Sequence, residues 1–528
     1  MRMTEENRRW WALGAMCFAL FMIMLDNTVV NVALPSIQRS LNATTTTLEW
    51  TVNAYTLSFA VLLVTGGRLG DIFGRRRIFL IGVVIFATAS AAIGFSPNDT
   101  WLVVWRAIQG SGSALMMPMT LSIITNAFPP QERGKAIGTW AGVSAMALAI
   151  GPVLGGLLVE TVSWQSIFFL NLPVAVGAIV VALFAVRESR DETVERTVDI
   201  PGVLTLTTGL AALVLALVEG NSWGWGSTRE LALFAIAIVG LVSFVQIELR
   251  RRVPMVDFSF FRARTFVGAN AVAFIVSFAM LSMFFFLALY MQNIRDYTPL
   301  QAGIRFLPST VLVIVMGPLA GRLADRVGPR PLMTLGLLLV SGALFLLSQV
   351  TVSSGYGTLL PGFILMGIGI GLTMSPMSTA AMNSVEQTKA GVASGILSQN
   401  RMVGGTFGVA VTGALVASLG GSKIDQLLPG VPSAGRSRLT ESLGSGGVLH
   451  GVPPHVLEAT HIAYVYALQS GLRVGAAVAL LGSVLAWTLV APRARAMVPS
   501  RGGAVQSRDP VGATHTETSE AAAEVVHV

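Results

Sequence analysis

The sequence has little charge and almost no cysteine. Only 12% of its 528 residues are Asp, Glu, Lys or Arg, whereas 53% are hydrophobic, and the mean hydropathy is +0.69. A soluble chain of this length needs far more charge to cover its surface. The one cysteine, Cys17, lies in an apolar run, which excludes a disulfide framework and a thiolate metal site. The composition is therefore typical of an all-α polytopic membrane protein.

The sequence also lacks a Gly-x-x-x-x-Gly-Lys-Ser/Thr phosphate loop, so it has no evident way to bind and hydrolyse ATP. The segment Gly220–Gly224 matches the Gly-x-Ser-x-Gly elbow of hydrolases, but it joins two apolar runs instead of a strand and a helix. The net charge of +8 comes from cations in short loops, which indicates membrane orientation and not nucleic-acid binding. We therefore expect no enzymatic activity, no metal and no cofactor, with an ion gradient as the energy source.

Long apolar runs dominate what the sequence does contain. A helix needs about 20 apolar residues to cross roughly 30 Å of hydrocarbon. On this measure we predict fourteen membrane helices, in the order six, two and six. They lie near residues 11–33, 49–70, 78–97, 101–125, 135–159, 166–187, 201–219, 230–248, 265–291, 300–323, 332–350, 357–382, 399–419 and 468–491.

The loops between these spans predict the domain organisation. The expected parts are a cytoplasmic N-terminus (1–10), an N-terminal six-helix bundle (11–190), two linking membrane helices (191–260), a C-terminal six-helix bundle (261–492) and a disordered cytoplasmic tail (493–528). Within the second bundle, residues 420–467 are rich in Gly, Ser and Pro and predict a long flexible extracellular loop. Arginine and lysine concentrate in alternate loops, which places both termini in the cytoplasm by the positive-inside rule.

One short string occurs twice, about 250 residues apart, each time between two apolar runs. The first copy is Gly67-Arg68-Leu69-Gly70-Asp71-Ile72-Phe73-Gly74-Arg75-Arg76-Arg77, and the second is Gly321-Arg322-Leu323-Ala324-Asp325-Arg326-Val327-Gly328-Pro329-Arg330. An internal repeat built on membrane helices is typical of a transporter that rocks one half against the other. The repeat therefore predicts a carrier.

Ionisable residues away from the predicted helix ends are rare, and two of them are candidates for energy coupling. Asp26 lies past the midplane of the first predicted helix, and Arg106 lies in the outer part of the fourth. An acid inside the membrane marks a functional site by default, because its charge is expensive there. Asp26 is thus a candidate proton carrier that releases Arg106 when it is protonated. The alternative is a permanent Asp–Arg pair, or an arginine bound to backbone carbonyls, that only holds helices together.

Several motifs resemble those of the major facilitator superfamily, specifically its fourteen-helix drug:proton antiporter branch. The repeated string is similar to the superfamily's loop motif between helices 2 and 3 of each half. Arg106-x-x-Gln109-Gly110 resembles the helix 4 motif associated with proton coupling, and Gly151-Pro152-x-x-Gly155-Gly156 resembles the helix 5 motif of antiporters. Leu25-Asp26-x-Thr28-Val29-Val30-Asn31-Val32-Ala33-Leu34-Pro35 and Trp164-x-x-Ile167-Phe168-x-x-Asn171-x-Pro173 are similar to motifs of that branch.

The resemblance implies two pseudo-symmetric six-helix bundles and a conformational latch between them. The residues that it implies for gating are Gly67, Asp71, Gly74, Arg75, Arg76, Gly321, Asp325 and Gly328. Asp71 is expected to pair with Arg75 and to accept hydrogen bonds from a helix that starts near Gln399–Gly405, in an outward-open state. An apolar central cavity is expected to bind the substrate. Its expected lining is Asn31, Tyr55, Phe59, Gln109, Trp140, Phe285, Phe286 and Asn400.

Two departures from the family pattern bear on the substrate. Ala147 stands where the antiporter motif usually has a glycine, which is a conservative change for helix packing. Some relatives that export divalent cations carry an acid in helix 10, whereas the span 300–323 holds Arg305 and no acid. This favours monocationic, zwitterionic or uncharged amphiphiles, or an anion that faces Arg305.

The predicted function is a proton-coupled exporter of amphiphilic drugs or antibiotics in the cell membrane. Its partners would be the substrate, protons and the lipid bilayer, without nucleic acid and without an obligatory protein partner. In the predicted cycle, Asp26 loses its proton to the cytoplasm as substrate enters, and an external proton later displaces the substrate. One alternative is a carrier of the same fold that is dedicated to one endogenous metabolite, peptide or amino acid. Another is a non-transporting membrane sensor, whose output would survive Asp26→Asn.

Overall fold

The computed structural model describes residues 4–492 except 42, 44, 192–198, 252–253, 255 and 446–451. These residues form helices joined by short turns, and the predicted tail 493–528 lies outside them. The α-helices are α1 Glu5–Leu41, α2 Thr45–Phe73, α3 Arg75–Gly94, α4 Asp99–Ala127, α5 Arg133–Thr161, α6 Ser166–Phe169, α7 Asn171–Ala185, α8 Ile200–Trp223, α9 Thr228–Arg250, α10 Arg264–Asn293, α11 Pro299–Val327, α12 Pro329–Leu347, α13 Tyr356–Asn383, α14 Ala390–Leu427, α15 Ser433–Ser445 and α16 Pro454–Leu489.

Most of these helices are suited to a membrane. Twelve segments of the described chain are helical, long enough and apolar enough to cross a bilayer. The helices α4 and α5 are not among the twelve, although each has 29 residues, which corresponds to about 43 Å at 1.5 Å per residue. The all-α polytopic membrane class is confirmed, and the crossing number of fourteen stays a prediction.

The long helices form two bundles with a linking pair. In the first bundle α2 and α3 pack on α4, and α1 packs on α5 and α7. In the second bundle α10 packs on α14, and α12 packs on α13 and α16. The linking helices α8 and α9 pack on each other, and α8 contacts both α2 and α14. The bundles meet mainly at two helix pairs, α5 with α11 and α2 with α14.

Glycines at these two crossings let the backbones touch. A Cβ atom at Gly67 on α2 would overlap the carbonyl oxygen of Gly391 on α14. A Cβ atom at Gly321 on α11 would overlap the carbonyl oxygen of Gly134 on α5. Membrane helices have little hydrophobic drive to associate, so small residues that permit close van der Waals contact decide where they cross.

Several predicted boundaries were wrong, and the largest error is the loop 420–467. Helix α14 continues to Leu427, α15 follows, and α16 begins at Pro454, so much of this segment is helical. Its glycines and serines predicted a loop, but they lie where helices pack: a Cβ at Gly420 would overlap Leu443 of α15. Tertiary packing stabilises helices whose intrinsic propensity is poor. At the other end of the chain, α1 begins at Glu5, inside the predicted N-terminal segment 1–10.

The sixth predicted span, 166–187, is divided. Helix α6 ends at Phe169 and α7 begins at Asn171. Pro173 lacks a backbone N–H and cannot donate to the carbonyl oxygen of Phe169, so the helical hydrogen-bond ladder is interrupted there. The break positions the side chain of Asn171 at the start of a helix that runs along α1 and α3.

Candidate functional site

Asp26 of α1 and Arg106 of α4 form an ion pair inside the first bundle. The distance from Arg106 Nη1 to Asp26 Oδ2 is 2.6 Å, and each residue is only 1% exposed. The structure therefore brings together the two intramembrane charges that the sequence predicted as coupling residues. A carboxylate and a guanidinium removed from water lose hydration that only close, well-directed hydrogen bonds restore.

Three further side chains complete the surroundings of Asp26. Gln109 Nε2 donates to Asp26 Oδ1 at 3.0 Å, and Asn171 Nδ2 donates to the same oxygen at 3.4 Å. Both amides also donate to Ser90 Oγ of α3, at 2.8 and 3.2 Å. We call Asp26, Ser90, Arg106, Gln109 and Asn171 the carboxylate cluster. It takes residues from α1, α3, α4 and α7, so a change in the charge of Asp26 affects four helices.

The geometry of α4 explains why its two cluster residues act together. Arg106 and Gln109 are three residues apart and share one helix face, and Arg106 Nη1 donates to Gln109 Oε1 at 2.6 Å. Arg106 Nε donates to the backbone carbonyl of Thr51 on α2 at 2.9 Å. The helix itself begins with a strong cap, since the Asn98 side chain accepts from Trp101 N at 2.8 Å.

Tyr55 of α2 lies against this cluster. The Arg106 guanidinium carbon is 4.2 Å from the centre of the Tyr55 ring, and the Tyr55 hydroxyl is 2.8 Å from Ser113 Oγ. A cation over an aromatic face gains energy when water is excluded. Arg106 thus has sources of stabilisation that do not depend on Asp26: the Tyr55 ring, the Thr51 carbonyl and the Gln109 side-chain oxygen.

The helix 5 glycines bring α1 close to α5 beside the cluster. A Cβ atom at Gly151 would overlap Thr28 Oγ1, and one at Gly155 would lie 2.6 Å from a methyl carbon of Val29. Gly156 is half-buried. The side chain of Pro152 lies outside what the structure describes. These glycines fix the position of α1 two to three residues after Asp26.

The first latch joins Asp71 and Arg75 to the start of α14. Arg75 Nε and Nη2 donate to Asp71 Oδ1 at 3.0 and 2.7 Å. The backbone N–H groups of Gly391 and Val392 donate to the two Asp71 oxygens at 2.9 and 2.8 Å. A carboxylate at a helix N-terminus is favoured by the unpaired N–H groups and by the helix dipole. The expected partner region, Gln399–Gly405, was wrong. Helix α14 begins at Ala390, before the predicted start of that span at 399.

Arg75 also reaches across to the second bundle directly. Its Nη2 donates to the carbonyl oxygens of Gln387 and Thr388 at 3.0 and 2.5 Å. Asp71 and Arg75 are each 1% exposed. The first latch is therefore a buried ion pair in which both partners bind the opposite half.

The segment that follows α7 covers the first latch. Ser189 accepts the backbone N–H of Arg75 at 2.9 Å, and the backbone N–H of Asp191 donates to the carbonyl of Asp71 at 2.8 Å. Glu188 accepts the backbone N–H groups of Arg76 and Arg77 at 3.0 and 3.1 Å. Gly74, between α2 and α3, has φ +110°, a conformation that side chains rarely adopt. The segment 188–191 thus encloses the first repeat.

Asp257, in the segment before α10, supports the same region. Lys389 Nζ donates to Asp257 Oδ2 at 2.7 Å, directly before α14 begins. Burial alone would raise the pKa of Asp257, but hydrogen bonds from Lys389 and Ser259 lower it to about 2. The pair ties the linking segment to the end of α14 that Asp71 binds.

The second latch repeats this arrangement with fewer contacts. Asp325 of α11 accepts hydrogen bonds from the backbone N–H groups of Gly134 and Lys135 at the start of α5. Gly328 has φ +90°, like Gly74 in the first copy. Pro329 stands where the first copy has Arg75, and the Arg330 guanidinium carbon lies 4.0 Å from the Trp487 ring centre instead. Asp325 is exposed.

Of the expected substrate-cavity residues, Tyr55 and Phe59 are in ring contact, with their ring centres 5.8 Å apart, and several of the others are buried. Phe59, Trp140 and Phe286 are at most 2% exposed and belong to the hydrophobic core. Phe285 is 44% exposed, since residues adjacent in a helix point about 100° apart and cannot share one face with Phe286. Asn400 of α14 donates to Asn270 of α10 at 2.8 Å. The side chain of Asn31 lies outside what the structure describes.

Arg401 of α14 was not predicted as a functional residue. It follows Ala390, the first residue of α14, by eleven positions, which is about 16 Å along the helix axis. The predicted span 399–419 placed Arg401 at a helix end, where arginines are common in membrane proteins. A signal was present in the sequence, because Ala390–Leu397 is as apolar as the rest of the span and extends the helix toward the N-terminus.

Comparisons with known proteins bear on the family. A profile described as Major Facilitator Superfamily matches residues 16–409. The chain is 34% identical over 497 residues to the tetracenomycin C resistance and export protein of Streptomyces glaucescens, with 91% of each chain covered. It is 38% identical over 424 residues to the puromycin resistance protein pur8 of Streptomyces alboniger, with 78% of this chain and 84% of the relative covered.

A solved structure supports the architecture. The proton:xylose symporter XylE superimposes with a TM-score of 0.60 at 14% identity, covering 92% of this chain and 97% of that one. At this identity the likeness shows the fold alone. The two relatives above, both named for drug resistance, confirm the resemblance to drug-efflux carriers. The protein is a multi-pass membrane transporter and not an enzyme, and it belongs to the Major Facilitator Superfamily.

Proposed function

We propose that this protein is a proton-coupled exporter of amphiphilic drugs or antibiotics in the cell membrane, with both termini in the cytoplasm. The carboxylate cluster carries the proposal. Asp26 is an acid within a candidate membrane span, it is 1% exposed, and the donors that bind it come from α4 and α7. The printed names of the relatives, a tetracenomycin C exporter and a puromycin resistance protein, support the substrate class.

Protonation of Asp26 changes the forces on four helices. The ionised carboxylate accepts from Arg106, Gln109 and Asn171. A proton on the carboxylate removes the counterion of Arg106, and an uncompensated charge in a membrane interior costs several kcal/mol. Arg106 then keeps only neutral partners, such as the Thr51 carbonyl. The protonated and ionised forms therefore favour different packing of α1 on α4, which is the bias that a two-state carrier requires.

The latches couple that bias to the side of the membrane on which the carrier is open. Both latches are formed at the arginine-rich end of the bundles, which the positive-inside rule assigns to the cytoplasm. This arrangement is the one closed to the cytoplasm. In the cycle that we propose, an external proton reaches Asp26 in this state, both latches then open, and the proton leaves to the cytoplasm as the next substrate enters.

The experiment that tests the proposal is gradient-driven transport by Asp26→Asn in reconstituted vesicles. A pH gradient is imposed, and accumulation of puromycin and of three anthraquinone derivatives is measured: the 2-sulfonate, the 2-sulfonamide and the 2-methyltrimethylammonium salt. We expect wild-type protein to accumulate at least one compound and Asp26→Asn to lose gradient-driven accumulation at least about 100-fold. The loss follows because an amide cannot take up and release the proton.

Two controls separate coupling from folding. Asp296→Asn removes a carboxylate from an exposed turn residue at φ +54°, a conformation that Asn tolerates well, and should leave transport unchanged. The double variant Asp26→Asn with Arg106→Gln leaves no uncompensated buried charge, so its thermal stability should exceed that of the single variant while its coupled transport stays absent. Full gradient-driven accumulation by either Asp26 variant would refute the proposal.

A second candidate function is a carrier dedicated to one endogenous metabolite. The observation in its favour is that one relative is named for the export of a single compound, tetracenomycin C. The breadth of competition decides between the two. A broad exporter would be inhibited by several structurally unrelated amphiphiles, whereas a dedicated carrier would ignore all but close analogues of one.

A further inference from the structure

Arg401 is a second arginine inside the membrane region, on the opposite half from Arg106. It lies in α14, within a candidate membrane span, and is half-buried. Seven residues before it on the same helix face, Ser394 Oγ donates to the carbonyl oxygen of Pro118 on α4 at 2.7 Å. The adjacent residue Asn400 binds Asn270 of α10. Arg401 therefore faces the space between α10 and α4, that is, between the two halves.

Arg401 lies deeper than the carboxylate cluster. Helices α4 and α14 are antiparallel, so extending their register from the Ser394–Pro118 contact places Arg401 level with Ser111. Ser111 is five residues from Arg106 and two from Gln109, about 7.5 and 3 Å along the axis toward the latches. The two arginines thus lie at different depths of the central region.

The guanidinium of Arg401 has no partner within the described part of the chain. Its Nε is buried and makes no hydrogen bond, and neither a carboxylate nor an aromatic ring is paired with it, whereas Arg106 has both. The acids of the second half whose side chains the structure describes lie near helix ends or in turns: Asp296, Asp325, Glu386, Asp425 and Glu458. A guanidinium that protrudes between two halves of a carrier without a counterion is suited to a mobile anion.

We propose that Arg401 binds an anionic oxygen of the substrate, so that the transported compounds include aromatic amphiphiles carrying a carboxylate, sulfonate or phenolate. This inference rests on the proposed export function and specifies its substrate class. A planar guanidinium donates two parallel hydrogen bonds to such a group and also stacks on aromatic rings. A permanent cation is repelled at the same place. Because Arg401 and Asp26 lie at different depths, substrate and proton bind different groups, and helix packing couples them.

The test is equilibrium binding to the full-length protein in detergent, without any gradient. The probes are anthraquinone-2-sulfonate, which stays ionised, and anthraquinone-2-sulfonamide, which has nearly the same shape and no charge. We expect wild-type protein to bind the sulfonate more tightly than the sulfonamide. Arg401→Gln should weaken the sulfonate about 10- to 100-fold and change the sulfonamide less than about threefold, because only the charged group loses its partner.

Two further variants control for folding and for charge. Arg401→Lys keeps the charge without the planar fork and should give an intermediate loss. Arg473→Gln removes an exposed arginine from α16 and should leave both affinities unchanged. The ratio of the two affinities within one preparation is independent of the amount of folded protein, so partial misfolding cannot imitate the result.

The outcomes are distinct. The inference would be overturned if Arg401→Gln left the ratio of the sulfonate and sulfonamide affinities unchanged, whether neither affinity fell or both fell equally. It would also be overturned if the wild-type protein did not bind the sulfonate. The exporter proposal fails separately, if selective binding is intact but no compound accumulates under a pH gradient.

Discussion

The two copies of the repeated string have the same backbone shape and different surroundings. In each copy an aspartate at the end of one helix accepts N–H groups from the first turn of a helix in the other half. Each copy turns at a glycine with positive φ, Gly74 and Gly328. Asp71 is buried and bound by Arg75, whereas Asp325 is exposed and followed by Pro329 at the corresponding position.

The difference has a physical cause in the connections of the chain. The segment after α7 returns over the first copy, where Ser189 and Asp191 bind the backbone of Arg75 and Asp71. The enclosed latch excludes water, so each of its hydrogen bonds counts for more than one at the surface. We infer that the α5–α11 end opens more easily than the α2–α14 end.

The interior charges of the two halves also differ. The first half carries a neutral pair, Asp26 with Arg106. The second carries Arg401 without a counterion in the described residues. One half is thus suited to exchange a proton, and the other to hold a charged substrate.

Among changes to the two latches, we expect Asp71→Asn to have the largest effect on latch closure. The change leaves the buried Arg75 without a counterion, and breaking a buried ion pair costs about 3–5 kcal/mol. We expect the open fraction of the α2–α14 end to rise at least about 100-fold. The distance between spin labels on cysteines introduced at Arg77 and Glu386, both exposed, measures that fraction. The native Cys17 is buried, so it competes little for the label.

A distance distribution unchanged by Asp71→Asn would show that the glycine contacts alone hold the first latch closed. The comparison requires that the purified Asp71→Asn variant elutes as a monodisperse species. Labels at the same positions in otherwise wild-type protein provide the reference.

A smaller effect is expected from Asp325→Asn. Asp325 is exposed and has no cation at the position that corresponds to Arg75. The carboxylate accepts charge-assisted hydrogen bonds from two backbone N–H groups, and the asparagine oxygen still accepts one hydrogen bond. We therefore expect the second latch to lose about 1 kcal/mol of stability or less. Labels at Gln131 and Arg326, both exposed, report the α5–α11 end. An effect as large as that of Asp71→Asn would contradict the inferred asymmetry.

The smallest effect concerns Asp257 and Lys389, which brace the first latch only. The folded-state pKa of Asp257, about 2, lies below the ordinary value of an aspartate. The pair therefore stabilises the protein above the ordinary carboxyl pKa, and this contribution is lost as the pH falls through about 2. We expect Asp257→Asn to lower the melting temperature by about 1–2 °C near neutral pH. A difference from wild type that grows as the pH falls below about 4 would contradict the assignment.

Sequence patterns predicted the class of fold and the chemical identity of both charged sites. The isolated Asp26 and the Arg106–Gln109 spacing indicated the carboxylate cluster, because polar residues are rare in apolar helices. Ser90 and Asn171 were not predicted as members of it. Their types are common in membrane helices, and only the break between α6 and α7 places the Asn171 side chain at Asp26.

The errors trace to helix ends. The start of α14 was predicted about nine residues too late, at 399 instead of Ala390, and this one error gave a wrong partner for Asp71 and concealed Arg401. Polar and glycine-rich first turns look like loops in a sequence, although here they are packed against α2. The lining of the substrate cavity stays a prediction for another reason: large apolar side chains fill cores and line cavities alike, so residue type does not distinguish the two.

The most direct test of the central claim, that Asp26 is the proton-binding group of the exporter, is proton flux driven by a substrate gradient alone. Vesicles containing the protein and a trapped pH-sensitive dye receive anthraquinone-2-sulfonate, which carries no proton of its own. The account predicts a substrate-dependent pH change with wild-type protein and none with Asp26→Asn. An equal pH change with both proteins, or substrate accumulation by the wild type without any proton movement, would contradict it.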